Sequence, residues 1–320
     1  MVRRKIVVIG AVLIFLSAIL YIQYMLGDND ILETFSWKVD PFAKYRTKEY
    51  KESLMKWFSY SEDSIIFNGP TVQMDDPSFI ASIRRHFLVP PAISSQPYQL
   101  KKPSIVDPSM GQSSLIRQFL KNKRNGFFVE AGAMDGETRS NTLYLEKELG
   151  WRGLLVEADP YNFGNLVSRN RRAWSSPTCL STKPYPMTVS FKQEENLGKI
   201  SDRQVGSPIP GYVDVQCLPL YSLLLALNVS TVHYFSLDVE GAELDVLKTI
   251  PFDKVDIQTL SVEFIHGPEG KEALREWMEG KGYKVVAQVT HPDWLANDFI
   301  FVKESLLSTS DIWSIKVDEV

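Results

Sequence analysis

Hydrophobic positions fall in short unbroken runs separated by polar breaks marked with glycine or proline, a rhythm that predicts strands and helices in succession. The run Phe127-Phe128-Val129-Glu130-Ala131 is opened by Asn125-Gly126 and closed by Gly132, as expected of a buried strand, and a helix is expected directly after Gly136. A helix over 142–149 follows, with Asn141 as candidate cap and Gly150 as stop, and then a second apolar strand from Gly153 to Val156. Further strands are expected at 174–180, 187–191, 212–218, 232–238, 259–264, 284–289 and 298–302. Helices are expected at 113–123, 221–227, 243–250 and 270–279, and the Gly/Pro-rich stretch 194–211 reads as a mobile insertion. Strands alternating with helices over 104–320 predict one α/β domain.

The N-terminal pattern differs. From Ile6 to Leu26 there is no charged residue, enough at helical rise to cross a hydrocarbon core of ~30 Å. Arg3, Arg4 and Lys5 precede this run and Asp28, Asp30 and Glu33 follow it. A cytosolic tail (1–5), a transmembrane signal anchor (6–26) and a lumenal remainder, a type II topology, are therefore expected. A cleaved signal peptide has an apolar core of ~7–15 residues and small residues at its cleavage site, whereas Tyr21-Ile22-Gln23-Tyr24-Met25-Leu26 is bulky. Residues 27–103, interrupted by Pro90-Pro91, Pro97 and Pro103, read as a lumenal stem. The stem contains one helix at 77–87, whose Phe79, Ile80, Ile83 and Phe87 share a face that docks on the domain. A lumenal address makes Asn228-Val229-Ser230 a glycosylation acceptor and favours a disulfide between Cys179 and Cys217, with two buried free thiols as the alternative. A net charge of −4 and a pI near 5.7 argue against a nucleic-acid partner.

The candidate chemistry gathers where strands end. Glu130, Gly132, Asp135 and Gly136 punctuate the turn after the first strand, and Glu157 and Asp159 follow the second; these are the candidate cofactor contacts. The spacing is not the G-x-G-x-x-G of dinucleotide sites. It suits S-adenosylmethionine, which has no phosphate and needs acceptors for its ammonium and ribose groups. Asp238 and Glu240 end a later apolar strand, Gly241 turns the chain and Glu243 opens the next helix. Asp238 and Glu240 are candidate catalytic residues, and Glu263 and His266, after the following strand, are candidate acid/base groups. A D-x-E strand end also suits a hard divalent cation, as in Golgi nucleotide-sugar transferases with a similar anchor and stem. Glu157 placed for a ribose weighs against that alternative, and no metal ligand is assigned.

The segments Phe128 to Gly136, Leu155-Val156-Glu157 and Phe235-Ser236-Leu237-Asp238-Val239-Glu240-Gly241-Ala242-Glu243 resemble the signatures of FkbM-type methyltransferases. Leu149 to Leu155, Ser140 to Leu143, Arg172-Ala173-Trp174 and Asp107 to Ser113 resemble the membrane-anchored animal branch of Star type. The resemblance implies a Rossmann-like, seven-stranded methyltransferase fold binding S-adenosylmethionine at the tips of the first two strands. For the Star-type branch it also implies residence in endoplasmic reticulum, Golgi or endosome membranes and a role in transporting membrane-bound growth-factor precursors in EGF receptor signalling. The chain departs from the family pattern at Ser236, where a lysine is common, and at Cys179-Leu180-Ser181, which offers no carboxylate to an adenine amine. Two function classes follow: methyl transfer, and a non-catalytic transport factor that keeps the fold.

Overall fold

The computed structural model describes residues 67–206, 209–292 and 295–308, together with 47, 48, 52, 56 and 57. The predicted anchor at 6–26 lies outside the described residues. Among those described, no helix is long and apolar enough to cross a membrane. Glu52–Val320 forms one compact unit, divided from Met1–Lys51.

The first element whose bounds are described is α1 (Pro77–His86), which starts where Asp76 accepts hydrogen bonds from Ser78 N and Phe79 N with proline at the first helical position. Phe79, Ile80 and Ile83 are buried and join Phe87 in the main core. Arg84 donates to the carbonyls of Leu225 and Ala226 at the C-terminal end of a later helix. Beyond α1, Val89 bridges to Ser175, and Ala92 N and Gln99 N donate to Arg171 O and Arg169 O. Within the segment expected as stem, Phe79, Ile80, Ile83 and Phe87 thus belong to the core of the domain, and Val89, Ala92 and Gln99 bond to it through the backbone.

The elements then run α2 (Gln112–Phe119), β1 (Phe127–Ala131), α3 (Leu143–Leu149), β2 (Arg152–Val156), α4 (Pro160–Ser168), β3 (Trp174–Ser176), β4 (Cys179–Leu180), β5 (Met187–Lys192), β6 (Lys199–Ser201) and β7 (Tyr212–Leu218). They continue with α5 (Leu220–Ala226), β8 (Thr231–Leu237), α6 (Glu243–Lys248), β9 (Asp256–Glu263), α7 (Lys271–Glu279), β10 (Tyr283–Thr290) and β11 (Asn297–Lys303). A seven-stranded sheet has the order β10-β11-β9-β8-β1-β2-β3. Its strands pair in parallel from β3 across to β9, while β11 is antiparallel to both neighbours. The fold is therefore α/β with a mixed sheet. Apolar residues on both faces of each central strand build two cores: Val129 and Phe235 face one, Phe128 and Tyr234 the other.

A second sheet, β4-β7-β5-β6, does not follow from the sequence reading. Pro177 interrupts the single strand expected at 174–180, so β3 stays in the main sheet and β4 crosses to the small one. Cys179 and Cys217 are register partners in the parallel β4–β7 pair and form a disulfide. The insertion expected to be mobile instead supplies β6, paired with β5. Helix α4 is absent from the sequence reading, although Asp159-Pro160 is a helix start: Asp159 caps α4 by accepting from Tyr161 N and Asn162 N. No helix begins directly after Gly136; an extended loop runs to α3, whose N-cap is Thr142 rather than Asn141. Gly150 ends α3 as expected.

Candidate functional site at the strand tips

Parallel pairing brings the C-terminal ends of β1, β2, β8 and β9 to one edge: Ala131 registers with Val156 and Leu237, and Leu237 with Val262. The chain moves outward from β1 to β2 and β3, then returns to β8 on the other side of β1. That reversal opens a crevice between the departing loops, the place where open α/β sheets bind ligands. A cavity of about 140 Å³ occupies it. Its floor is the strand ends, and the small sheet contributes Phe191 and Ile200 to one wall, with Gly198 just before β6.

Two glycines permit the approach of these loops. A Cβ at Gly132, where φ is +80°, would stand 1.9 Å from the Asp238 carbonyl oxygen; at Gly241, φ +104°, it would stand 2.8 Å from that of His266. Met134, Arg139 and Glu240, all lining the cavity, hold left-handed backbone conformations without being glycine. Strain of this kind concentrates at ligand sites.

Of the residues singled out in the sequence, Glu130, Gly132, Glu157, Asp238, Glu240, Glu263 and His266 line the cavity, whereas Asp135, Gly136 and Asp159 do not. Asp135 receives Glu137 N and Thr138 N and pairs with Arg169 at 3.3 Å. Against the burial that would raise it, these partners hold its pKa below the usual aspartate value. The Gly136 carbonyl accepts from Arg171, and Asp159 is committed to capping α4 and to accepting from Gln193.

Glu130 is buried and accepts from Asn141 N (2.7 Å), Ser140 Oγ (2.9 Å) and Thr142 Oγ1, which ties the loop before α3 to the end of β1. Burial pushes its pKa up, opposed by the Arg171 guanidinium, itself buried and paired with Glu146 at 3.0 Å. Glu157 accepts from Met134 N and Asp159 N, each at 2.7 Å, so it shapes the turn that carries Gly132. Burial and the neighbouring Asp159 push its pKa up to about 8.

Opposite stands a group of acids. His266 Nδ1 lies 2.8 Å from both Glu240 Oε2 and Glu263 Oε1. Where either glutamate is ionised, this contact holds the proton on Nδ1 and leaves Nε2 as the basic nitrogen. Burial, then the nearby Lys199, lower the His266 pKa. Glu243 accepts from Val239 N and Gly241 N, closing the turn between β8 and α6. Asp238 is open to the cavity but walled by protein; desolvation raises its pKa to about 6, with Arg139 acting against the rise. Burial, then the neighbouring carboxylates, raise Glu240 to about 8 and Glu263 to about 10.

The sequence reading misses Asp298, Gln112, Asn141 and Arg139 at this cavity. Asp298 accepts from Gln112 Nε2 at 2.9 Å, and Asn141 donates to Ser236 Oγ at 2.9 Å. The one visible signal was an aspartate heading the apolar run Phe299-Ile300-Phe301-Val302, where an unpaired acid is costly to bury.

No curated protein matches the chain. Among solved structures, the "METTL16 MTase domain (crystal form 2)" is similar at 12% identity and TM-score 0.37, with 82% of this chain and 96% of that one covered. The N-terminal domain of human METTL16 is similar at 12% identity and TM-score 0.31, with the same shares covered. OxaC in complex with SAH and oxaline is similar at 10% identity and TM-score 0.28, covering 81% of this chain and 67% of that one. Residues 130–285, which span the strand tips from Glu130 through His266, match the family model described as the methyltransferase FkbM domain.

Proposed function

We propose that this protein transfers a methyl group from S-adenosylmethionine to a hydroxyl or amine acceptor held in the strand-tip cavity. The observation that carries the proposal is the cavity at the β1/β8 switch point, formed by the Gly132 turn and Glu157 inside the segment that matches a methyltransferase domain. When bound, the donor supplies an electrophilic methyl on a sulfonium. Glu157 is placed to accept from its ribose hydroxyls. Glu130, whose two oxygens meet three protein donors, acts by holding the loop before α3. His266, oriented through Nδ1 by Glu240 and Glu263, is the base that takes the acceptor's proton at Nε2. Asp238 stands at the cavity edge of β8, nearest the reacting groups.

The reading extends to a single-pass type II membrane protein of the secretory and endosomal system, with the domain lumenal, on the strength of the charge asymmetry around 6–26. The disulfide supports an oxidising compartment. A second reading, a non-catalytic Star-type factor assisting transport of membrane-bound growth-factor precursors, is favoured by one observation: Glu130 makes a closed network with Ser140, Asn141 and Thr142. Binding of S-adenosylhomocysteine separates the two. Under methyl transfer, the ligand raises the melting temperature in proportion to RT ln(1 + [L]/Kd). No shift at ~1 mM, where even a site of about −4 kcal/mol responds, leaves the transport reading. A shift by a nucleotide sugar with manganese, and none by S-adenosylhomocysteine, points instead to glycosyl transfer.

A further inference from the structure

We propose that Asp238, Glu243 and Glu263 form a binding site for a hard divalent cation of the magnesium, manganese or calcium class at the tips of β8 and β9. One carboxylate oxygen from each lies within 4.8 Å of the others, the separation that a single ion spans with oxygen ligands at about 2.0–2.6 Å. A second observation points to a ligand. Glu263 is only 7% exposed, and its Oε2 is buried with no hydrogen-bond partner, although Oε1 meets His266. Buried carboxylate oxygens are ordinarily satisfied, and one left vacant among other acids is an electrostatic cost that a cation removes. The nearby cations do not fill the place: Arg139 and Lys199 act on this group at a distance and make no ion pair with it.

An all-oxygen set with three carboxylates selects a hard ion over zinc or copper. The backbone supports the set: Val239 N donates to Glu243 Oε1 and Gly241 N is shared between Oε1 and Oε2, which fixes the carboxylate and leaves a direction on Oε2 for a metal. Asp238, open to the cavity, gives an ion held here access to an acceptor. The site itself stands on the carboxylate geometry; its use in catalysis rests on the methyl-transfer reading. There it implies an oxygen acceptor, because a cation that ligates a hydroxyl lowers its pKa, and the proton then passes to His266 Nε2. The acceptor oxygen's electron pair forms the new bond to methyl carbon while the carbon–sulfur pair returns to sulfur.

The test is thermal unfolding of full-length, chelator-stripped protein titrated with magnesium, manganese or calcium chloride, in the absence of any methyl donor. One of the ions should raise the melting temperature saturably, by roughly 5–10 °C at 100 times its Kd. Glu263→Gln should melt no lower than the stripped wild type, since the amide is neutral like the protonated acid it replaces, and should lose at least nine-tenths of the shift. Asp238→Asn, at the accessible position, should weaken the ion at least tenfold without loss of folding. No saturable shift up to 10 mM of any of the three ions, or an undiminished shift in Glu263→Gln, overturns the site. Glu157→Ala keeps the cation response while losing that to S-adenosylhomocysteine, so failure of the cation site and failure of the methyl-transfer reading are told apart.

Discussion

Glu157 shows how one carboxyl serves both fold and ligand. Its two oxygens hold the Met134 and Asp159 amides, and its burial within the cavity wall raises its pKa from the ordinary glutamate value to about 8. Removing a buried hydrogen-bonding carboxyl from a ribose contact costs about 1–3 kcal/mol, so Glu157→Ala should weaken S-adenosylhomocysteine roughly 5- to 150-fold by calorimetry. The sign of its pH effect follows from proton counting. Between pH 4.5 and about 8 the native state holds a proton that the unfolded chain has released, so this group's stabilisation is complete at low pH and is lost as pH rises through about 8. Denaturant melts from pH 5 to 9 should show stability falling less steeply in Glu157→Gln than in wild type; equal slopes would show that Glu157 is ionised throughout. At His266, the oriented ring predicts that His266→Ala lowers kcat by ~10²-fold or more while leaving the S-adenosylhomocysteine shift intact. A variant that loses both would make His266 a ligand contact instead.

At the scale of elements, the small sheet and α1 change what surrounds the site. The β4–β7 disulfide closes the loop that carries β5 and β6, and both strands reach the cavity wall through Phe191 and Ile200. Cys217→Ser paired with Cys179→Ser should cost about 2–4 kcal/mol in chemical denaturation, a loss that reductant should reproduce in the wild type. Ile83 in α1 is fully buried against the main core, so Ile83→Ala should cost about 2–5 kcal/mol; a loss below 1 kcal/mol would return 67–103 to the status of a stem. Contiguous apolar runs made β1, β2, β8 and β9 readable in sequence, because a strand buried on both faces needs no partner to announce itself. Helix α4 escaped because Asp159 follows a strand-end glutamate and looks like a ligand, yet its side chain caps the helix. The break at Pro177 escaped because a strand that changes sheets and one that continues share the same hydrophobic pattern.

For the whole molecule, the proposed orientation predicts that protease added to sealed microsomes removes an N-terminal tag and spares the C-terminal domain; digestion of that domain would reverse the topology. Asn228 is exposed in the turn after α5, so loss of an endoglycosidase-sensitive mass in Asn228→Gln would mark the same lumenal side. The sequence by itself determined the α/β alternation, the carboxylates at the strand ends and the charge asymmetry at the N-terminus, since each is written in neighbouring residues. Tertiary structure alone decided which acids meet. Glu130 and Asp159, near in sequence to Glu157 or Gly132, turn to capping and loop bonds, whereas Asp298, sixty residues beyond Asp238, reaches the same cavity because β11 inserts antiparallel beside β9. Whether a strand-end carboxylate faces a ligand or a backbone amide depends on strand order and loop path, and these are set by long-range packing that no local pattern contains.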